Sequence, residues 1–167
     1  MRTGRIAHIS VSPRGVPKKA VERARITPLG LEGDGHRPVP YHGGPDRAVC
    51  VYALDAIRAL QAEGHPVAPG ALGENVTIDG LPWEAVTPGR RLRLGDTVVL
   101  EVTSYTTPCR TIMRAFKDRA CGRVSQARHP GWSRVYARVL AEGVIAAGDP
   151  VCLLEPAPAA GVAAGTG

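Results

Sequence analysis

The chain has 167 residues, 44% hydrophobic and 22% charged, with a formal net charge of +6. That balance belongs to a single soluble globular domain and excludes a fibrous or largely disordered chain. No apolar run approaches the ~18 residues needed to span a bilayer, and the N-terminal stretch MRTGRIAHISVSPRG lacks the apolar core of a secretory signal, so a cytoplasmic location without membrane attachment is expected.

Twenty glycines and fifteen prolines point to many turns and a mainly β domain. In chain order, residues 4–11 and 21–26 read as strands around a turn at residues 12–15. Residues 48–53, AVCVYA, form a continuous apolar run expected to be a buried strand. A helix is predicted over residues 55–63, with Ile57 and Leu60 inward and Gly64 and Pro66 ending it. Residues 75–78 read as a short strand. Residues 91–102 and 144–154 each carry Gly-Asp before an apolar run, so each reads as strand, tight turn, strand; Val98, Leu100 and Val102 alternate onto one face. Residues 110–119 suit a second helix, with Ile112 and Phe116 inward at i, i+4 and Arg110, Arg114 and Lys117 on another face. Short strands, tight turns and few short helices predict a closed or nearly closed β-barrel. Residues 1–155 would form one domain, and the Ala/Pro/Gly-rich residues 156–167 a disordered tail.

Charge is uneven. Residues 105–138 hold eight basic residues, seven of them arginine, against the single acid Asp118. Arginine suits bidentate anion contact, so this segment is a candidate phosphate site. Nucleic acid is not expected, because aromatic residues are only 4% of the chain and no helix-turn-helix or zinc-finger pattern is present.

Four cysteines occur, none in a C-x-x-C pair, which argues against a structural zinc ribbon. Cys50 and Cys152 lie in apolar strands and read as small core residues. Cys109 follows Thr107-Pro108 between a strand and the predicted second helix. A helix N-terminus, Arg110 and Arg114 beside it would favour the thiolate, the nucleophilic and metal-binding form. Cys121 is flanked by arginines without a pattern that fixes its geometry. Residues 30–49 form a glycine-rich loop carrying Asp34, His36, His42, Gly43, Gly44, Asp46 and Arg47. Its length needs a reason, and its turning backbone could aim several N–H groups at one anion. An Asp46–Arg47 pair holding the loop is the simpler alternative. Glu74 and Asn75 add polar groups at a strand entrance.

These pieces together resemble the MOSC domain, named after the C-terminal part of molybdenum cofactor sulfurase. The matching residues are Gly30-Leu31-Glu32-Gly33-Asp34 with His36, the run from His42 to Val49 leading to Tyr52, Gly73-Glu74-Asn75, Gly95-Asp96, Pro108-Cys109, Gly131-Trp132 with Arg138-Val139-Leu140, and Gly148-Asp149. The resemblance implies a barrel-like β fold and makes Cys109 the counterpart of the family's functional cysteine. It further implies binding of a molybdenum cofactor (molybdopterin), with Cys109 as metal ligand and Asp34, His36, His42, Gly43, Gly44, Asp46, Arg47, Glu74, Asn75, Thr107 and Arg110 around it. On this reading the protein reduces N-hydroxylated small molecules with electrons from an external donor. The alternative is a sulfur carrier that holds a persulfide on Cys109, receives it from a cysteine desulfurase, and binds no molybdenum.

Overall fold

The computed structural model describes residues 2–35 and 44–156. Seven strands close on themselves. β1 (Arg2–Val11) pairs antiparallel with β11 (Pro150–Leu153) on one side and with β6 (Val76–Asp79) on the other. From β11 the ring continues through β7 (Arg91–Leu94), β8 (Val98–Tyr105), β9 (Val135–Ala141) and β5 (Val49–Ala53). It closes where β5 runs parallel to β6, through the register Val51↔Val76. A short strand β2 (Lys19–Val21) extends β1 outside the ring, and β3 (Arg23–Thr27), β4 (Gly30–Leu31) and β10 (Gly143–Ala146) form a second, three-stranded sheet.

The barrel interior is apolar. Val98, Leu100 and Val102 point inward as their alternation predicts, each at most 1% exposed. On β1 the inward residues are Ile6 and Ile9, a spacing of three that strict alternation forbids. A register shift between Ile6 and His8 absorbs the extra residue and returns Ile9 to the core.

Strand β5 is buried along its whole length. Val49 and Val51 belong to the barrel core, whereas Tyr52 belongs to a second cluster outside the wall. That cluster is covered by α1 (Leu54–Ala62), the one α-helix among the described residues, through Ile57 and Leu60. A strand buried on both faces reads as a continuous hydrophobic run rather than an alternation. The helix follows its predicted limits closely, and a backbone bond from Gly64 to Gln61 closes its end.

Two expectations are corrected. Residues 110–119 form no α-helix. The chain makes short 3₁₀ turns at Arg110–Ala115, Lys117–Arg119 and Cys121–Val124, broken by extended backbone at Phe116 and by positive φ at Asp118 (56°) and Arg119 (58°). Ile112 and Phe116 are nonetheless buried as predicted, each 3% exposed, in the outer cluster. The first turn has no side-chain cap and carries the β-branched Thr111 and Ile112. Local helix drive is therefore weak, and three-residue turns suffice to deliver both anchors. Residues 144–154 form strand, turn and strand as expected, and the Gly-Asp turn joins strands that do not pair with each other. β10 pairs with β3 and β11 with β1 and β7, so the turn passes the chain between sheets. The second correction is that residues 21–26 are divided at Glu22 between β2 and β3. The expected tail lies almost wholly outside the described residues.

Candidate functional site

Side-chain alternation on β5 and β9 places the site. Val49, Val51, Val135 and Ala137 face the barrel core; Cys50 and Tyr136, directly opposed in the β5–β9 register, face outward. Together with Arg134, one residue before β9, they form part of the wall of a cavity of about 340 Å³, within the range of small-molecule sites. The β1–β2 loop supplies Gly15, Val16 and Lys18, the approach to β6 supplies Leu72, Gly73 and Asn75, and the segment after β8 supplies Thr107, Pro108, Cys109, Thr111 and Ile112. Gly35, Arg47 and Tyr105 complete the lining.

These loops are fastened from beneath. Asp34 is fully buried at its side chain and accepts from Lys18 Nζ at 2.7 Å. It also accepts from Asn75 Nδ2 at 2.9 Å and from the Ser12 amide at 2.9 Å. Asn75 in turn accepts from the Cys50 amide at 3.0 Å and donates to the Ser10 carbonyl at 3.2 Å. Glu74 is buried and accepts from the Gly70 amide. Gly70 has φ +85°, and a Cβ there would come within 2.5 Å of the Lys18 carbonyl, so only glycine lets this turn close against the β1–β2 loop.

Arg134, only 6% exposed, donates through Nη1 to the Leu72 carbonyl at 2.6 Å, while its Nε has no hydrogen-bond partner among the described residues. Glu74 Oε2 likewise has none. Burial raises the Glu74 carboxyl above the ordinary 4.5, against the opposing pull of the Gly70 amide, other backbone amides and Arg134. Burial also pushes the Cys50 thiol up to about 11, against the opposing charge of Arg134.

The predicted site residues divide. Arg47, Asn75, Thr107 and Cys109 line the cavity. Asp34 and Glu74 lie beneath it as fasteners. Gly44 is the residue before a 3₁₀ turn at Pro45–Arg47 and does not line the cavity. Asp46 forms an ion pair with Arg138 at 3.5 Å, while the Arg47 guanidinium lies 5.4 Å from the Tyr136 ring centroid. Arg110 is exposed and outside the lining. His36, His42 and Gly43 lie outside the described residues. Cys109 is exposed, with its Sγ 3.0 Å from Thr111 Oγ1, and it precedes a 3₁₀ turn rather than the helix N-terminus expected. Cys50 and Cys152 are buried as expected, and so is Cys121.

Three residues that sequence reasoning passed over belong here. Lys18 gives no local signal; folding of the β1–β2 loop brings it in. Arg134 and Tyr136 were readable from the alternation of S-R-V-Y-A-R-V, which sends 134 and 136 to the face opposite Val135 and Ala137.

As a donor set, the described lining offers three cations, Lys18, Arg47 and Arg134, no carboxylate, and one exposed soft sulfur. The buried Arg134 Nε, without a partner among the described residues, is the orphan donor an anion would satisfy. The set suits a phosphate-bearing cofactor whose metal takes a thiolate ligand. Among the described residues no group of three or more His, Cys, Asp or Glu could hold a bare metal ion, and no helix is long and apolar enough to cross a membrane.

The MOSC domain profile matches residues 38–152. The chain is 36% identical over 126 residues to the uncharacterized protein YflK of Bacillus subtilis, covering 75% of this chain and 56% of that one. It is 37% identical over 131 residues to a protein named reductase from Gibberella moniliformis, covering 75% of this chain and 23% of that one. It therefore spans only about half and a quarter of those two relatives. It is 31% identical over 160 residues to protein YiiM of Escherichia coli, covering 92% of this chain and 70% of that one. The crystal structure of YiiM from Geobacillus stearothermophilus superposes with a TM-score of 0.69 at 27% identity, covering 91% of this chain and 75% of that one.

Proposed function

The chain belongs to the MOSC domain family, which is associated with molybdenum-cofactor binding, and on that premise we propose that its outer cavity holds molybdopterin-bound molybdenum and reduces N-hydroxylated small molecules. The observation that carries this reading is the joining of an exposed thiol, Cys109, and a buried, half-satisfied arginine, Arg134, in one cavity. Cys109 would be the protein ligand to the metal. Arg134, Arg47 and Lys18 would hold the cofactor's phosphate, while Tyr105 and Tyr136 would wall its ring system.

When bound, the cofactor supplies the two-electron redox change. The net reaction takes an N-hydroxyl group, two electrons and two protons to an N–H group and water, with the electrons coming from an external donor. Asp34 is committed to Lys18 and Asn75, and Glu74 is sealed below the floor. Neither presents a proton to the cavity, so both act by holding the loops in place.

The test is molybdenum and released pterin in protein made in a cofactor-proficient host, beside Cys109→Ala. The expected result is metal near one per chain, lost in the variant, and turnover of an N-hydroxylated base by the wild type only. Equal metal content in both would contradict the scheme. The exposure of the Cys109 sulfur also suits the second reading, a persulfide carrier. In that case, incubation with a cysteine desulfurase would add about 32 Da, one sulfur, at Cys109 in protein free of molybdenum.

A further inference from the structure

Beside the Cys109 cavity lies an open hollow of about 410 Å³ that the proposed reaction leaves unused. Two of its lining residues are arginines, Arg119 and Arg128, and none is a carboxylate. Both arginines are exposed, and neither has an ion-pair partner among the described residues. Other bases of the same segment are neutralised: Arg123 clasps Glu63 through two bonds of 2.8 and 2.9 Å, and Arg138 pairs with Asp46 and Glu101, each at 3.5 Å. The half-buried Ser125 also lines the hollow, and its hydroxyl has no hydrogen-bond partner among the described residues.

Each guanidinium has a defined seat. Arg119 Nη2 lies 3.8 Å from the sulfur of Met113, itself in the lining. The Arg119 backbone has φ 58° directly after Asp118 at 56°, a region that side chains other than glycine rarely adopt. The Arg119 and Ala120 amides donate to the Phe116 and Lys117 carbonyls at 3.1 and 3.2 Å and hold this double turn. Ile112, Phe116 and Val124 anchor the segment in the outer core. Backbone kept in so unfavourable a region tends to mark ligand sites. Arg128 Nη1 lies close over Gly122, where a Cβ would come within 2.9 Å of it. The absence of a side chain at Gly122 is what lets the guanidinium settle there.

Residues 108–113 part the hollow from the Cys109 cavity. Pro108 lines both, Cys109, Thr111 and Ile112 line the cavity, and Met113 lines the hollow. A molecule lying across Pro108 would reach into each. Two unneutralised guanidinium charges match a phosphate monoester, which carries about −1.5 to −2 at neutral pH, and the guanidinium fork fits phosphate oxygens bidentately. We infer that the hollow is a phosphate subsite, in which Arg119, Arg128 and the Ser125 hydroxyl take the phosphomonoester arm of a substrate whose N-hydroxyl end enters the Cys109 cavity. This rests on the reductase reading above and names its substrate class. At the reacting end the N–O bond breaks and an N–H bond forms, consuming two electrons and two protons and releasing water; the phosphate ester stays intact.

The test compares benzamidoxime carrying a phosphate ester on its ring with the phosphate-free parent. Each is reduced by the molybdenum-loaded protein with two equivalents of a one-electron viologen reductant. Arg119→Gln and Arg128→Gln are combined in one variant; Arg23→Gln and Arg25→Gln, which remove the same charge from exposed positions on β3, form the control. The thermal melting and molybdenum content of each variant are checked first. The expected result is a kcat/KM at least about tenfold higher for the phosphorylated compound, carried by KM and lost in the first variant only. Gly122→Ala, which crowds Arg128 without changing charge, should lose part of that advantage. Equal kcat/KM for the two compounds in the wild type, or an equal loss in both double variants, would overturn the proposal. So would loss of molybdenum from the folded first variant, because the hollow would then hold the cofactor's own phosphate. Calorimetric binding of phenyl phosphate to the whole chain is measured in parallel and should weaken at least about tenfold in the first variant. That binding without turnover of either compound would refute the reductase reading and leave the phosphate site standing, whereas equal turnover of both compounds without that binding would do the reverse.

Discussion

Strands β5 and β9 carry two different sets of residues on their two faces. The inner face, Val49, Val51, Val135 and Ala137, is aliphatic and sealed. The outer face, Cys50 and Tyr136 with Arg134 beside them, is chemically varied and opens on a cavity. One backbone serves both because alternation sends neighbouring residues to opposite sides. The inner face packs by apolar volume alone, so it holds the barrel. The outer face is free to carry sulfur, guanidinium and phenol, because the loops and the second cluster, not the barrel, bury it.

The largest expected effect falls where the outer loops are tied to the barrel. Asp34→Ala leaves Lys18 without its carboxylate and removes one of the two acceptors of the Asn75 amide. Removing one partner of a buried ion pair costs about 3–5 kcal/mol, read as a lowered urea midpoint. Next, Leu100→Ala empties part of the barrel core and should cost about 2–5 kcal/mol. The folded fraction should keep its full cofactor content. Arg134→Met should do the reverse. Loss of its bond to the Leu72 carbonyl costs about 1–3 kcal/mol, yet cofactor retention should fall roughly tenfold, about 1.4 kcal/mol of binding. If Leu100→Ala also stripped the cofactor from folded protein, the two faces would not be separable in the way described.

A smaller, graded effect sharpens the same distinction. Burial raises the Glu74 carboxyl above 4.5, so the folded state holds its proton longer than the unfolded chain does. The stability this contributes is fully present below 4.5 and is lost as pH rises through the folded value. Urea midpoints taken from about pH 4 to pH 8 should therefore decline with rising pH from this group, and Glu74→Gln should flatten that component.

The barrel was readable where burial imposes a period. Val98, Leu100 and Val102 alternate as they should, and the run AVCVYA declares a strand covered on both faces. The place of Cys109 was legible in part: Pro108-Cys109 follows a strong strand, but a 3₁₀ turn stands where a helix was expected. Residues 110–119 were misread for a physical reason. Ile112 and Phe116 have the spacing of a helix, and the burial that spacing implies is real, but two anchors do not specify what connects them. The similar Gly-Asp turns at 95–96 and 148–149 show the same limit. One closes the β7–β8 hairpin and the other changes sheets, and only the pairing partners, remote in sequence, decide which. Lys18 and Arg134 reach the cavity through such long-range pairing, Arg134 with its alternation as a clue that went unused.

The central claim is that Cys109 ligates molybdenum on the outer face of this barrel. Molybdenum K-edge X-ray absorption on the loaded wild type and on Cys109→Ser tests it most directly. The account predicts one fewer sulfur around the metal in the variant, or no metal at all. An unchanged sulfur count at full metal occupancy would contradict it.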